Sequence, residues 1–222
     1  MASISRIEFA PDLTEQVYQR LLNAICDGEL APGARLTQEE LALTLDVSRQ
    51  PVLQALRMLK KDGFLVDAGR RGLMVVPIGA GLISQIYQVR AVLDGLAARQ
   101  AALGQAKLDP AIIGEGRASI SGARIGAMID ADMKFHEMIY AASGNPLISE
   151  SAQHHWRHIR RAMGAVLQEA GVRGTVWDEH EAILAAINRG DADRAEQLAR
   201  AHGEAAGRYL AGEIERRERE AS

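Results

Sequence analysis

Asp132 and His136 stand four residues apart in DADMKFHEM, a spacing that sets a carboxylate and an imidazole on one face of a helix. His180 opens a later helical segment, and His202 lies 22 residues further on, past the turn Asn188-Arg189-Gly190-Asp191. An antiparallel helical hairpin is one arrangement that brings both inward. Three neutral imidazoles with one carboxylate suit zinc, nickel or another first-row divalent ion far better than magnesium or calcium, whose shells are built from oxygen. On spacing alone the plainer alternative stays open, because single histidines on helices are commonly surface residues or satisfied core residues.

Two other histidine patterns compete with this set. His154 and His158 also stand four apart, in HHWRH, but have no carboxylate at helical spacing. His136-Glu137 opens the H-E-x-x pattern of zinc peptidases, yet Tyr140 stands where the second histidine is required, so that site cannot form and Glu137 is expected to face away. Met128, Met133, Met138 and Met163 read as core fillers.

A second chemistry is carried by cations. The net charge of the chain is −3, which gives no gross signature of nucleic-acid binding, so any DNA contact must come from a local patch. Between Val47 and Gly72 six cations (Arg49, Arg57, Lys60, Lys61, Arg70, Arg71) face two acids (Asp62, Asp67), a local charge of +4. Ser48, Arg49 and Gln50 are short polar and guanidinium groups of the kind that reach base edges from the start of a helix in the major groove. Arg70 and Arg71 at a turn suit phosphates or the minor groove, and Gly72 permits the tight backbone that brings them close.

The elements that must position these groups follow from periodicity and punctuation. A first helix over 13–27 carries Val17, Leu21, Leu22, Ala24 and Ile25 and stops at Asp27-Gly28. Thr37 and Glu40 form a capping-box pattern for a second helix through Leu41 and Leu45. After the turn Asp46-Val47, Ser48 caps a third helix with Pro51 in its first turn, running to about Lys61. Gly63 ends it, and strands over 64–66 and 73–76 flank a turn at 69–72. Three helices plus a hairpin is a winged helix-turn-helix layout. Past Pro77 helical patterns take over, at 82–103, 126–142, 147–169, 176–188 and 192–219, with a weaker segment at 109–121 that holds four glycine or serine residues.

The fold class is therefore mainly α, in two domains: a winged helix-turn-helix over 1–78 and an all-helical bundle over 79–222. A composition of 47% hydrophobic and 25% charged residues excludes disorder and fibrous repeats. No apolar run reaches the roughly 18–20 residues of a membrane span, and the start MASISRIEFAPD lacks the layout of a secretory signal, so a cytoplasmic protein with no membrane partner is expected. The single cysteine, Cys26, sits among Leu21, Leu22 and Ile25 and reads as a buried thiol in a reducing compartment.

GELAPGARLTQEELALTLDVSRQPVLQAL, followed by LKKDGFL and RRG, resembles the DNA-binding domain of the GntR family of bacterial regulators over residues 11–77. One departure is Leu53-Gln54, where the family usually has Arg-Glu, which removes a cation from the recognition helix. D-x-x-F-H, ASGNP, E-H-x-x-I and the later histidine-bearing helix resemble the FCD ligand-binding domain of FadR-type members over about 80–215. That resemblance implies that Asp132, His136, His180 and His202 hold a divalent ion, zinc foremost, and that Arg90 contacts a small organic acid effector, with Asp94 where the family usually has glutamate. His154 and His158 match no ligand position of the family.

The chain is thus expected to be a transcriptional regulator, acting as a repressor and not an enzyme. A homodimer is expected on double-stranded operator DNA, because one such module gains affinity and specificity by binding two half-sites. Two other classes are compatible with parts of the sequence: a metal-dependent hydrolase-like enzyme using the same donors to activate water, which the basic N-terminal module disfavours, and a metal-free acyl-CoA or lipid sensor, which needs no histidine set.

Overall fold

Apolar residues at helical spacing draw α1 (Leu13–Cys26) against α3 (Arg49–Lys61), and Val17, Tyr18, Leu21, Ile25, Val52, Ala55 and Leu59 share one core with Phe64 and Val75. These coordinates are a computed structural model that describes residues 13–69, 72–121, 124–167 and 175–220. The chain divides into two units, Met1–Pro77 and Ile78–Ser222, each with its own core.

In the first unit, α2 (Gln38–Thr44) begins at Thr37, whose hydroxyl accepts from the Glu40 amide at 3.3 Å. The Glu40 carboxylate accepts from that same hydroxyl at 2.7 Å, so the box closes side chain to side chain rather than onto the backbone. The turn between α2 and α3 passes through Asp46 at φ +51°, a left-handed position that a short polar residue tolerates. Ser48 occupies the cap position of α3 but makes no side-chain cap hydrogen bond, so its expected capping role is not seen. The Tyr18 hydroxyl donates to Asp62 at 2.6 Å and ties α1 to the end of α3. The buried Cys26 lies in this core.

Three short strands form an antiparallel sheet in the order β1-β3-β2: β1 (Arg35–Leu36), β2 (Leu65–Asp67) and β3 (Leu73–Val75). Arg35 pairs with Met74 and Leu65 with Val75. β1 was not foreseen: two residues after a Pro-Gly turn, one exposed and one buried, are too short to show a period. Arg70 and Arg71 of the hairpin turn lie outside the described residues.

The second unit is all helical among its described residues: α4 (Ala80–Leu103), α5 (Ala111–Ser121), α6 (Ile125–Ala142), α7 (Pro146–Leu167), α8 (Val176–Arg189) and α9 (Ala192–Glu220). α4 and α9 pack closely because small residues face each other: a Cβ on Gly203 would lie 3.1 Å from the Ala91 backbone, and one on Gly207 only 2.5 Å from Tyr87. The weak segment forms α5, and one of its glycines has a tertiary reason, since a Cβ on Gly116 would sit 2.0 Å from the Trp177 ring. Packing overrides propensity there. Gly190 at φ +74° ends α8 and starts the hairpin into α9. Asn188 holds the α4–α5 connection by exchanging two hydrogen bonds with Leu108. No helix among the described residues is long and apolar enough to cross a membrane.

Candidate metal centre

α6 supplies Asp132 and His136 one turn apart, α8 supplies His180, and the α8–α9 hairpin returns His202 to the same point. One donor atom from each of the four lies within 4.8 Å of every other, and all four side chains are buried. His180 Nε2 is 3.1 Å from His202 Nε2 and 3.6 Å from an Asp132 oxygen. Phe135 stacks on the His180 ring at 4.0 Å, and Trp177 meets it edge-on at 4.6 Å.

One of the imidazoles, His202, is oriented from behind by a carboxylate, and a second carboxylate lies near His136 beyond hydrogen-bond reach. Glu179 Oε2 lies 2.8 Å from His202 Nδ1, and the Thr175 hydroxyl donates to the other Glu179 oxygen at 2.9 Å. Asp94 Oδ2 lies 3.6 Å from His136 Nδ1. At His202 the carboxylate on Nδ1 keeps the proton there and turns the Nε2 lone pair into the cluster. Burial, followed by the charges of Arg90, His180 and His202, holds His136 well below the ordinary histidine range, so its ring is neutral. Its Nε2 is buried with no hydrogen-bond partner, an acceptor that a cation would satisfy. The donor set and this orphaned nitrogen fit a first-row divalent ion.

Arg90 and Asp94, four residues apart on α4, form a buried ion pair. Both side chains are 3% exposed, with Arg90 Nε 3.2 Å from Asp94 Oδ2. A buried pair is a different object from an exposed helical pair, because loss of one partner strands a charge in a poor solvent. Burial opposes the Arg90 charge, but Asp94 together with Tyr87, Tyr140 and Asp132 outweighs it, and the guanidinium stays protonated. Arg90 also lies over the Trp156 ring at 4.0 Å and donates to the Tyr87 hydroxyl at 3.3 Å. The Tyr140 hydroxyl donates to the second Asp94 oxygen. Burial pushes the Tyr87 hydroxyl up to about 12 and Tyr140 well above its ordinary value, so both remain proton donors.

A cavity of about 60 Å³ opens beside the cluster, with Arg90, Asp132, His202, Tyr87 and Trp177 in its wall. Met128 and Met163 line it too, while Met133, Met138 and Met163 pack against the core, so the filler reading holds for three and Met128 belongs to the cavity wall. Glu137 is exposed, as expected. His154 is exposed and His158 half-buried, and neither joins the cluster. The roles of Glu179, Tyr140 and Trp156 were missed. Glu179 reaches His202 across a helical hairpin, and only its place beside His180 hinted at it.

In the first unit, Ser48, Arg49 and Gln50 are exposed at the start of α3. Arg49 Nη2 lies 2.6 Å from a Glu39 oxygen, and Gln38 donates to the Arg49 carbonyl at 2.6 Å, so α2 steadies the first turn of α3. Gly72 is half-buried in the hairpin, where its carbonyl accepts from the Ala68 amide at 2.9 Å. Leu53 and Gln54 are half-buried on α3, and Leu53 faces a groove shared with Arg57 and Lys60.

Comparison with known proteins matches residues 85–205 to the FCD domain family and residues 13–75 to the family described as bacterial regulatory proteins, gntR family. The chain is 28% identical over 198 residues to the uncharacterized HTH-type transcriptional regulator YdhC of Bacillus subtilis, covering 84% of this chain and 86% of that one. Among solved structures it resembles a putative GntR transcriptional regulator from Rhodococcus sp. RHA1, with a TM-score of 0.73, 24% identity and coverage of 90% and 97%. Escherichia coli McbR/YncC gives a TM-score of 0.72 at 22% identity, covering 89% and 96%. These two likenesses speak to the fold.

Proposed function

Because the chain belongs to the GntR family of bacterial transcriptional regulators and carries an FCD domain, we propose that its operator binding is controlled by a small carboxylate metabolite held beside a metal ion in the helical unit. GntR regulators bind operator DNA and usually act as dimers. In this reading residues 1–78 grip the operator as one half of a homodimer, and residues 79–222 sense the effector. Ser48, Arg49 and Gln50 read base edges from the start of α3, and Arg70, Arg71 and Gly72 are the residues assigned to contact the DNA backbone.

The observation that carries the proposal is the convergence of Asp132, His136, His180 and His202 beside a cavity whose wall includes Asp132, His202 and Arg90. Those four residues would hold the ion, zinc foremost with nickel or another first-row metal as alternatives, and when bound it supplies positive charge that attracts a hard oxygen donor. Arg90 supplies a second, permanent positive charge for another anionic group, positioned by Asp94 and stacked on Trp156. Phe135, Trp177 and Met163 make the rest of the surroundings apolar, which strengthens both attractions by excluding water. The cavity is small, about 60 Å³, which favours a short organic acid over an acyl chain. The reading is one of binding and not of catalysis: Glu137, the carboxylate a peptidase-like site would use as base, is at the surface.

The test is isothermal titration of acetate, pyruvate, succinate and citrate into zinc-loaded wild type, His136→Ala and Arg90→Ala. Binding by wild type and its loss in both variants is expected. Equal affinity in His136→Ala means that the ion is structural only, and the sensing mechanism fails.

A further inference from the structure

α4 packs one face inward through Ile83, Ile86, Ala97 and Ala101, all buried, and against α9 through Tyr87 and Ala91. Its opposite face is apolar as well. Leu82, Val89, Val92, Leu96 and Leu103 are between 37% and 63% exposed, five of the nine large apolar side chains that are exposed among the described residues. A helix on the surface of a globular unit ordinarily turns charged residues outward, so a second apolar stripe on α4 needs a partner.

The spacing of the stripe points to which partner. Leu82, Val89, Leu96 and Leu103 recur every seven residues, the repeat with which one helix packs along another. The stripe also reads nearly the same in both directions: 82 and 103 lie equally far from its centre, 89 and 96 likewise, and Val92 sits beside the centre. An isologous two-fold interface demands this symmetry, because residue i must meet j while j meets i. We propose that this face of α4 is the self-association surface of the helical unit, pairing antiparallel with α4 of a second copy so that Leu82 meets the partner's Leu103, Val89 the partner's Leu96, and the two copies of Val92 lie side by side next to the two-fold axis. The proposal rests on the homodimer reading above and gives that dimer a location.

Charge agrees with the arrangement. The polar residues exposed beside the stripe, Ser84, Gln85 and Gln88, are neutral, and the charged pair Arg90 and Asp94 is buried on the other side. Arg99, partly exposed, is held by Asp193 and Glu196 of α9. Antiparallel pairing sets Arg99 near the partner's Gln85, whereas parallel pairing sets two Arg99 side chains together. It also opposes the two helix dipoles favourably. α4 has 24 residues, about 36 Å of helix. Two such faces paired over most of that length reach the roughly 1,000 Å² that a specific interface must bury.

The experiment is sedimentation of the full chain as wild type and as the double variant Val89→Glu, Leu96→Glu, with thermal unfolding as a check on folding. Wild type should be a dimer, and the double variant should raise the dimer dissociation constant about 100-fold or more, because like charges are forced into the seam. A second measurement stands even if the double variant fails to fold. Under mild oxidation Val92→Cys should form a reducible covalent dimer, while wild type, with only the buried Cys26, should not. Leu82→Cys should cross-link when mixed with Leu103→Cys but not alone. A dimeric wild type with an equally dimeric double variant overturns the α4 assignment and leaves the homodimer reading standing. A monomeric wild type overturns both. A monomeric double variant with no Val92→Cys cross-link, or self-cross-linking by Leu82→Cys, overturns the antiparallel pairing.

Discussion

Glu179→Gln removes one charge and almost no volume from a position behind His202. The carboxylate sits 2.8 Å from His202 Nδ1, a charge-assisted contact that fixes the tautomer and raises the basicity of Nε2. Outer carboxylates of this kind are worth about 10- to 100-fold in metal affinity. The Glu179 side chain is 29% exposed, so water replaces part of what glutamine loses, and the lower end applies: about tenfold, or about 1.4 kcal/mol. The assay is zinc affinity by competition with a chelator, followed through the two tryptophans, Trp156 and Trp177, whose rings lie 5.6 Å from His136 and 4.6 Å from His180. The loss should vanish when Glu179→Gln is added to His202→Ala, since the carboxylate then has no ligand to orient. Unchanged zinc affinity in Glu179→Gln, or an undiminished tenfold loss in the His202→Ala background, refutes the reasoning.

Arg90→Ala should lower the stability of the helical unit by about 3 kcal/mol, the low end for a broken buried pair because the Tyr140 hydroxyl still serves Asp94; chemical denaturation followed by tryptophan fluorescence checks this. Gly116→Ala gains up to about 1 kcal/mol of helix propensity but must displace the Trp177 ring, a cost of about 1–3 kcal/mol, so a net lower melting temperature is expected by calorimetry. His136 is held neutral in the fold by burial while its unfolded counterpart titrates near 6.5, so the unfolded chain takes up the extra proton below that pH. The metal-free helical unit should therefore keep its full stability above about pH 6.5 and lose it progressively as pH falls, and zinc affinity should weaken over the same range; His136→Gln should flatten the stability profile measured by denaturant titration at several pH values.

The elements that carry strong punctuation were legible in the sequence. Thr37 marked the start of α2, Gly63 the end of α3, and the turn around Gly190 the hairpin that returns His202 to His180. The Asp132 and His136 spacing marked one helical face, because four residues on a helix are neighbours whatever the fold around them. What stayed hidden was set by contacts between elements distant in sequence. Nothing local announces that Gly116 lies under Trp177, that Arg90 and Asp94 are buried rather than on the surface, or that Glu179 crosses 23 residues to reach His202. β1 escaped because two residues have no period. Ser48 has the right type and place for a cap, yet its hydroxyl makes no cap bond, since residue type permits a hydrogen bond without compelling it.

The most direct measurement is fluorescence polarisation of a labelled duplex, selected from a random library by the zinc-loaded chain, titrated with protein in the presence and absence of acetate, pyruvate, succinate and citrate. At least one acid should shift the operator dissociation constant by about fivefold or more, the lower range of allosteric coupling, and the shift should disappear in the metal-free protein and in His180→Ala while operator binding itself remains. Operator affinity that no acid moves, or that the same acid moves equally without the metal, contradicts control through the Asp132, His136, His180 and His202 cluster.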